Sequence, residues 1–342
     1  MLSLADDLPA HDALASDAGA VTLQAPARLH LGFLDPAGTL GRPFGSLGLT
    51  IEGYETVVEI AAAPVDAVLA DTPEAQAEVE RARAHIERLR QHTGRRQPLQ
   101  LRLRQVLPAH AGFGSGTQLA LAIGRAFAHW QGLEVDSKTL AAWLGRGLRS
   151  GVGIAGFDHG GLLLDGGPGA DGTPAPLLSR LAFPPAWCVA VVQDTSMRGL
   201  SGSREKQAIA RLDPLPQERA AEICHQVLMR VLPGAASVDF AAFAAGVSRV
   251  QQIVGEHFAP AQGGSAYTSA AVGRLVQALA VASPQGAATG QSSWGPTGFA
   301  VLPSLAAAQS AVDVARAAGL VPASLQLQLV RGRNRGARLS LR

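Results

Sequence analysis

Lysine and cysteine are nearly missing from this chain of 342 residues, and each shortage rules something out. Lys138 and Lys206 are the only lysines, so almost all positive charge is arginine and Schiff-base chemistry has few amines to use. Cys188 and Cys224 stand far apart in no CxxC or Cys/His pattern, which argues against a disulfide framework and a cysteine-built zinc site. No apolar run approaches the ~18 residues of a membrane-spanning helix. The stretch "MLSLADDLPAHDALASDAGA" holds acids but no lysine or arginine, unlike a signal peptide. A net charge of +2 is too small for a nucleic-acid platform. The expectation is a cytoplasmic protein that engages neither membrane nor nucleic acid, with a loose lead over residues 1–20.

The 47% hydrophobic and 16% charged content is that of a globular protein, and the length allows two packed domains. Strands are expected over 21–33 (interrupted by Pro26), 47–60, 98–108 and 160–167, from alternation and β-branched content. Helices are expected over 72–94, with Thr72 as cap and Gly94 as stop, and over 117–130 and 136–150. The Gly/Pro-rich stretch 166–185 is the best domain junction, giving units 21–180 and 181–342. Beyond it, strands at 186–194, 297–302, 324–330 and 337–341 alternate with helices at 203–212, 217–231, 237–257, 267–281 and 304–320. The order is mixed, so the fold class is α+β. Five arginines in "RGRNRGARLSLR" (331–342) are either a solvated tail or a phosphate-facing loop and last strand.

"LPAHAGFGSGTQLALAIG" (107–124) runs from a glycine turn directly into a helix start. Uncapped amides there, with the helix dipole behind them, make a pocket for phosphate or pyrophosphate. The loop is no P-loop, since no GK[ST] follows, and no dinucleotide fingerprint. Taken alone it could equally be a packing turn.

Two further segments, "APARLHLGFLD" and "QSSWGPTGFAVL", complete a three-part set that resembles the GHMP superfamily of small-molecule kinases. That resemblance implies a two-domain fold, an N-terminal domain like ribosomal protein S5 domain 2 and a ferredoxin-like C-terminal domain. The superfamily's Pro-x-x-x-Gly-Leu-Gly-Ser-Ser stands here as Pro108 to Gly116. Its Ser-Gly-Val-Asp stands as Ser150-Gly151-Val152-Gly153, with glycine in the acid's place, and no acid occurs from Ser137 to Phe157. The kinases' base and magnesium carboxylate are therefore absent from their usual positions. Within the superfamily the chain is similar to the β-ribofuranosylaminobenzene 5′-phosphate synthases, on "GRGLRSGVGIAGFDHGGLLLDGG", "RGLSGSREKQA" and "RNRGA" together with the three segments above.

This resemblance implies a transferase that joins 4-aminobenzoate to phosphoribosyl pyrophosphate, releasing CO2 and pyrophosphate on the route to methanopterin-type carriers. It also implies Mg2+ and a homodimer. Carried onto this sequence, Arg28 is the leading catalytic residue, gripping carboxylate or pyrophosphate, unless it is a plain surface arginine. His30, on the same side of the strand, either binds phosphate or packs. Gly112, Gly114, Ser115, Gly116 and Thr117 form the pyrophosphate cradle, with His110 before it as a ligand or a turn stabiliser. Arg42, Ser46, Arg149, Ser150, Arg198 and Ser201 are further phosphate candidates, each with a loop or capping alternative. Trp294 either stacks on the aromatic substrate or packs in the core. Metal ligands stay unassigned, Asp35 and Asp158 being the nearby acids. Rival readings are an ATP-dependent GHMP kinase lacking the usual acid, an ATP-dependent diphosphate decarboxylase, and a non-catalytic phosphate binder.

Overall fold

The computed structural model describes residues 19–199, 207–208 and 210–342. A long bent hairpin forms its spine: β1 (Ala20–Asp35) and β2 (Phe44–Ala62) pair antiparallel along most of their length. β2 changes neighbours midway, pairing β5 (Leu162–Asp165) through its first half and β4 (Leu99–Gln105) through its second. β3 (Ala67–Ala70) lies parallel beside β4, and β6 (Leu177–Leu181) lies beside β5. The last strand, β11 (Arg338–Leu341), returns to pair with β1 and completes a seven-stranded sheet.

Pro26 does not interrupt β1. The strand absorbs it in a register shift between Pro26 and Arg28, which accommodates a residue without an N–H. The same shift changes what β1 covers. Val21, Leu23 and Ala25 pack with the first domain's helices, whereas Ala27, Leu29 and Leu31 join a core shared with the second sheet. Arg28 and His30 are thereby presented toward the glycine loop, and the Arg28 amide donates to the Phe113 carbonyl at 3.1 Å.

The helix expected over 72–94 is two, α1 (Pro73–Gln76) and α2 (Val79–Thr93), with Thr72 capping the first and left-handed Gly94 closing the second. α3 (Ser115–Trp130) begins two residues earlier than expected and lies against β1 and β2 through Leu119, Ile123 and Phe127. The helix expected over 136–150 stops early. Asp136 caps α4 (Ser137–Trp143), and the chain turns at Gly145 with φ 67°. Residues 144–151 are therefore a loop, followed by an unforeseen helix α5 (Val152–Asp158). Asp158-His159 ends that helix instead of opening a strand.

The second sheet is antiparallel in the order β10 (Leu325–Arg331), β7 (Cys188–Asp194), β9 (Thr297–Leu302), β8 (Ala288–Gln291). Helices Ala270–Ala282 and Leu305–Ala317 cover one face; Phe240–Phe258 fills the space between the other face and β1. The helix expected over 217–231 is α-helical only over Gln217–Gln226 and continues as a π-turn, Val227–Val231. Half of the helix expected over 203–212 lies outside the described residues. In the arginine-rich tail, Arg333 is buried, paired with Glu55 and bonded to the Gly336 carbonyl, while Asn334 clamps the Phe183 backbone. This segment ties the two sheets together at that point; Arg333 is neither solvated nor phosphate-facing.

Candidate active site

Three segments distant in sequence meet at the carbonyl of Gly112. It accepts hydrogen bonds from Arg28 Nη1 at 3.1 Å and from Ser292 Oγ at 2.7 Å. Ser292 Oγ in turn accepts from the His30 amide at 2.9 Å, so one serine ties β1, the glycine loop and the 292–295 turn together. The closeness of these segments demands glycine. Gly112 has φ 97°, and a Cβ there would overlap the Ser292 carbonyl oxygen. A Cβ on Gly295 would overlap the Ala111 carbonyl. Of the four described non-glycine residues with positive φ, His110 and Ser293 flank this junction, and such strain clusters at ligand clamps.

Gly114, left-handed at φ 76°, is the N-cap of α3, and no side chain caps that helix. The amides of Ser115 and Gly116 are thus offered to an anion, while the Thr117 amide already donates to the Gly114 carbonyl at 3.0 Å. The Arg28 guanidinium lies against Gly114, 3.2 Å from where a Cβ would sit. His30 is buried, with Nε2 lacking a partner among the described residues. Burial first, then the charges of Arg28 and Arg149, hold its pKa well below the ordinary histidine value. It is a neutral imidazole beside cationic groups.

The Ser150 hydroxyl and the Ser46 amide turn to Asp165, while Ser46 Oγ is buried with no partner among the described residues. Buried Asp165 accepts from the amides of Ser46, Gly151, Val152 and Gly167 at 2.7–3.1 Å and from Ser150 Oγ at 3.3 Å. Burial raises its pKa while those bonds pull the other way. Asp165 thus anchors the end of the loop that carries Arg149. Sequence reasoning missed it, as it missed Ser292; a lone acid after three leucines was the only signal for the former.

Beside this junction is a narrow cleft of about 30 Å³, lined among others by His30, Phe33, Phe258, Gln291 and Trp294. Trp294 is 4% exposed and packs on Phe258 at 4.7 Å between ring centroids, so it is core wall and cleft wall at once. The cleft as it stands has room for about one water, so a ring would enter only with the walls displaced.

The GHMP kinases N terminal domain family matches residues 80–161, which spans α2, the loop, α3 and α5. A beta-ribofuranosylphenol 5′-phosphate synthase from Methanothermobacter thermautotrophicus is 30% identical over 331 residues, covering 92% of this chain and 97% of its own. One of the same name from Archaeoglobus fulgidus is 32% identical over 243 residues, covering 68% and 75%. The chain belongs to this synthase family. Its fold is that of the GHMP kinases: homoserine kinase from Cytophaga hutchinsonii superposes with TM-score 0.65 over 95% of this chain and 98% of its own, at 16% identity. Phosphomevalonate kinase from Streptococcus pneumoniae does so with TM-score 0.66 over 91% and 99%, at 15% identity. The resemblance to the synthases and the two-domain α+β fold expected from the sequence thus stand.

Gly153, where the sequence resemblance puts the kinases' acid, is closely packed. A Cβ at Gly153 would lie 3.1 Å from the Thr117 methyl group, and Gln118 Nε2 bonds the Gly153 carbonyl at 2.9 Å. An aspartate would require the Thr117 methyl group to give by a few tenths of an ångström.

The remaining candidates lie away from the junction or are otherwise engaged. Arg42 is exposed on the turn between β1 and β2, near enough to Asp171 to help lower that acid's pKa behind its bonds to Thr173. Arg198 is exposed on the 195–199 loop, whose Gly199 amide bonds the His110 carbonyl at 3.0 Å. Ser201 lies outside the described residues. The Asp35 carboxylate is consumed by its own turn, accepting from Gly38, Thr39 and Leu40. Asp158 accepts from Ser137 Oγ. Among the described residues no group of three or more His, Cys, Asp or Glu could cage a metal. With its carboxylate spent on the turn Asp35 does not fit Mg2+, and no step below is routed through the ion. No helix among the described residues is long and apolar enough to cross a membrane.

Proposed function

We propose that the chain condenses phosphoribosyl pyrophosphate with a benzoate bearing an electron-donating para substituent, releasing pyrophosphate and CO2 and forming a C-riboside. 4-Aminobenzoate is the acceptor that the sequence resemblance implies; 4-hydroxybenzoate is the one that would give the product printed in the relatives' names. In the amino case the product is β-ribofuranosylaminobenzene 5′-phosphate, an early aryl riboside of methanopterin-type carriers.

The observation that carries this reading is the junction at Gly112. An anion cradle is intact there, with arginine beside it and glycine packed where a phosphoryl-transferring kinase has its acid. The α3 amides and Arg28 hold the pyrophosphate. As the C1–O bond of the ribose breaks, its electron pair leaves with pyrophosphate, and those donors meet the growing charge. The ring carbon bearing the carboxylate supplies the pair for the new C–C bond. Loss of CO2 returns the pair of the broken bond to the ring and restores aromaticity. No proton is released overall, so the missing acid at Gly153 removes nothing this chemistry requires. Neutral His30 offers the aryl carboxylate one hydrogen bond without adding charge. Phe33, Phe258 and Trp294 give the ring an apolar wall.

The test is release of label from carboxyl-labelled 4-aminobenzoate and 4-hydroxybenzoate by the purified protein. Phosphoribosyl pyrophosphate and Mg2+ are supplied, with ATP alone as control. Release that depends on phosphoribosyl pyrophosphate supports the reading, and the ratio of the two rates names the acceptor. Folded protein that releases no CO2 from either benzoate, or that hydrolyses ATP in the control, sinks it.

A further inference from the structure

A second guanidinium stands at the mouth of α3. Arg146 Nη1 lies 3.2 Å from where a Gly116 Cβ would sit, as Arg28 does at Gly114, so two arginines bracket the uncapped first turn. Arg146 comes from the loop after α4, in the acid-free stretch 137–157. Its Nε is buried with no partner among the described residues. Behind it on α2 are Arg81 and Arg88. The acid felt there is Glu78, already paired with Arg81 at 2.7 Å. His85, in the same cluster, is 2% exposed, and neither ring nitrogen has a partner among the described residues.

Burial, then Arg81 and Arg88, hold the Arg146 guanidinium below its ordinary pKa; His85 is pushed to about 3 by burial and the three arginines. A partly buried cluster of three cations and one acid destabilises the free protein, and its buried nitrogens are left unbonded. Such a conflict is expected where function requires it. What removes it is an anion on the α3 amides, close enough for Arg146 to reach.

We propose that Arg146, backed by Arg81, Arg88 and His85, is a second anion subsite that takes the terminal phosphoryl group of the bound pyrophosphate, Arg28 serving the phosphoryl group next to the ribose. The proposal rests on the synthase reading above. When the C1–O bond breaks, the departing pair is spread over both phosphoryl groups, and two guanidiniums beside the first turn of the helix meet it.

Titration calorimetry with inorganic pyrophosphate, with and without Mg2+, tests it on wild type, Arg146→Met and Arg146→Lys, beside their melting temperatures. The expected result is at least tenfold weaker binding in R146M, intermediate binding in R146K, and a ligand-free melting temperature in R146M equal to or above that of wild type. Pyrophosphate should raise the melting temperature of wild type and scarcely that of R146M. A merely structural Arg146 would give the reverse, lower stability with unchanged binding. R146M or, should it not fold, R146K binding within twofold of wild type overturns the subsite, as does wild type that binds no pyrophosphate. Weakened binding in R146M without CO2 release from either benzoate leaves the subsite standing and removes the synthase reading. Unchanged binding with CO2 release does the opposite.

Discussion

Lowering the pH from 7 to 5 should destabilise the fold by about 2 kcal/mol through His85, with a further loss of the same sign through His30. Both are almost fully buried, at 4% and 2% exposure, and both have depressed pKa values, His30 well below the ordinary range and His85 at about 3. In the unfolded chain each takes a proton near pH 6.5; in the folded chain His85 does not at pH 5, and His30 takes one only well below its ordinary value. The unfolded state therefore binds more protons below pH 6.5, and stability falls as pH falls. The loss begins near 6.5 and continues, for His85, to about pH 3. Between pH 7 and 5 His85 contributes about 2 kcal/mol. Urea unfolding at the two pH values gives the total. His85→Gln should reduce the difference between the two pH values by about 2 kcal/mol, and His30→Gln should reduce it in the same direction, a double difference in which unaltered groups cancel. A variant whose pH 7-to-5 change stays within about 0.5 kcal/mol of wild type would show its histidine charged or solvated in the native state. For His30 that outcome would also end its role as an uncharged donor to the aryl carboxylate.

Gly112→Ala combines a left-handed backbone with overlap of the Ser292 carbonyl, so a destabilisation of about 2–4 kcal/mol in urea and a loss of pyrophosphate binding are expected. Stability within about 1 kcal/mol of wild type would contradict the close approach of the two turns. Arg28→Ala should lower kcat/KM for phosphoribosyl pyrophosphate by about 10²–10³, the scale of one preorganised donor at a developing anion. A loss under about fivefold in steady-state kinetics would make Arg28 a structural brace for the Gly112 carbonyl. Gly153→Asp should not create ATP hydrolysis, because the new side chain meets Thr117 and no metal carboxylate accompanies it. Measurable phosphate release from ATP by that variant would reopen the kinase reading. Trp294→Leu should raise KM for the benzoate several-fold with little change in KM for phosphoribosyl pyrophosphate, and equal effects on both would assign Trp294 to packing alone.

Features with local causes could be read before folding. Glycines running into an alanine- and leucine-rich segment must make an uncapped helix start, and α3 begins inside that motif. Thr72 and Asp136 cap the helices they precede because their side chains reach amides three residues on. The absence of acids between Ser137 and Phe157, and hence of a kinase's base and metal ligand, is a property of the string itself. Features that depend on what arrives from elsewhere could not be read. Pro26 looked like a strand breaker, yet a register shift absorbed it and aimed Arg28 at the glycine loop. The Ser150 hydroxyl looked like a phosphate ligand, yet folding set it against Asp165, which also takes the Ser46 amide. Arg146, inside a segment expected to be helical, became a loop residue at the α3 mouth because Gly145 ended α4 early. The physical division follows range. Caps, turns and amide-lined helix ends are fixed by neighbours a few residues away, whereas a side chain's partner across 100 or more positions is set by sheet register and core packing, which no short stretch encodes.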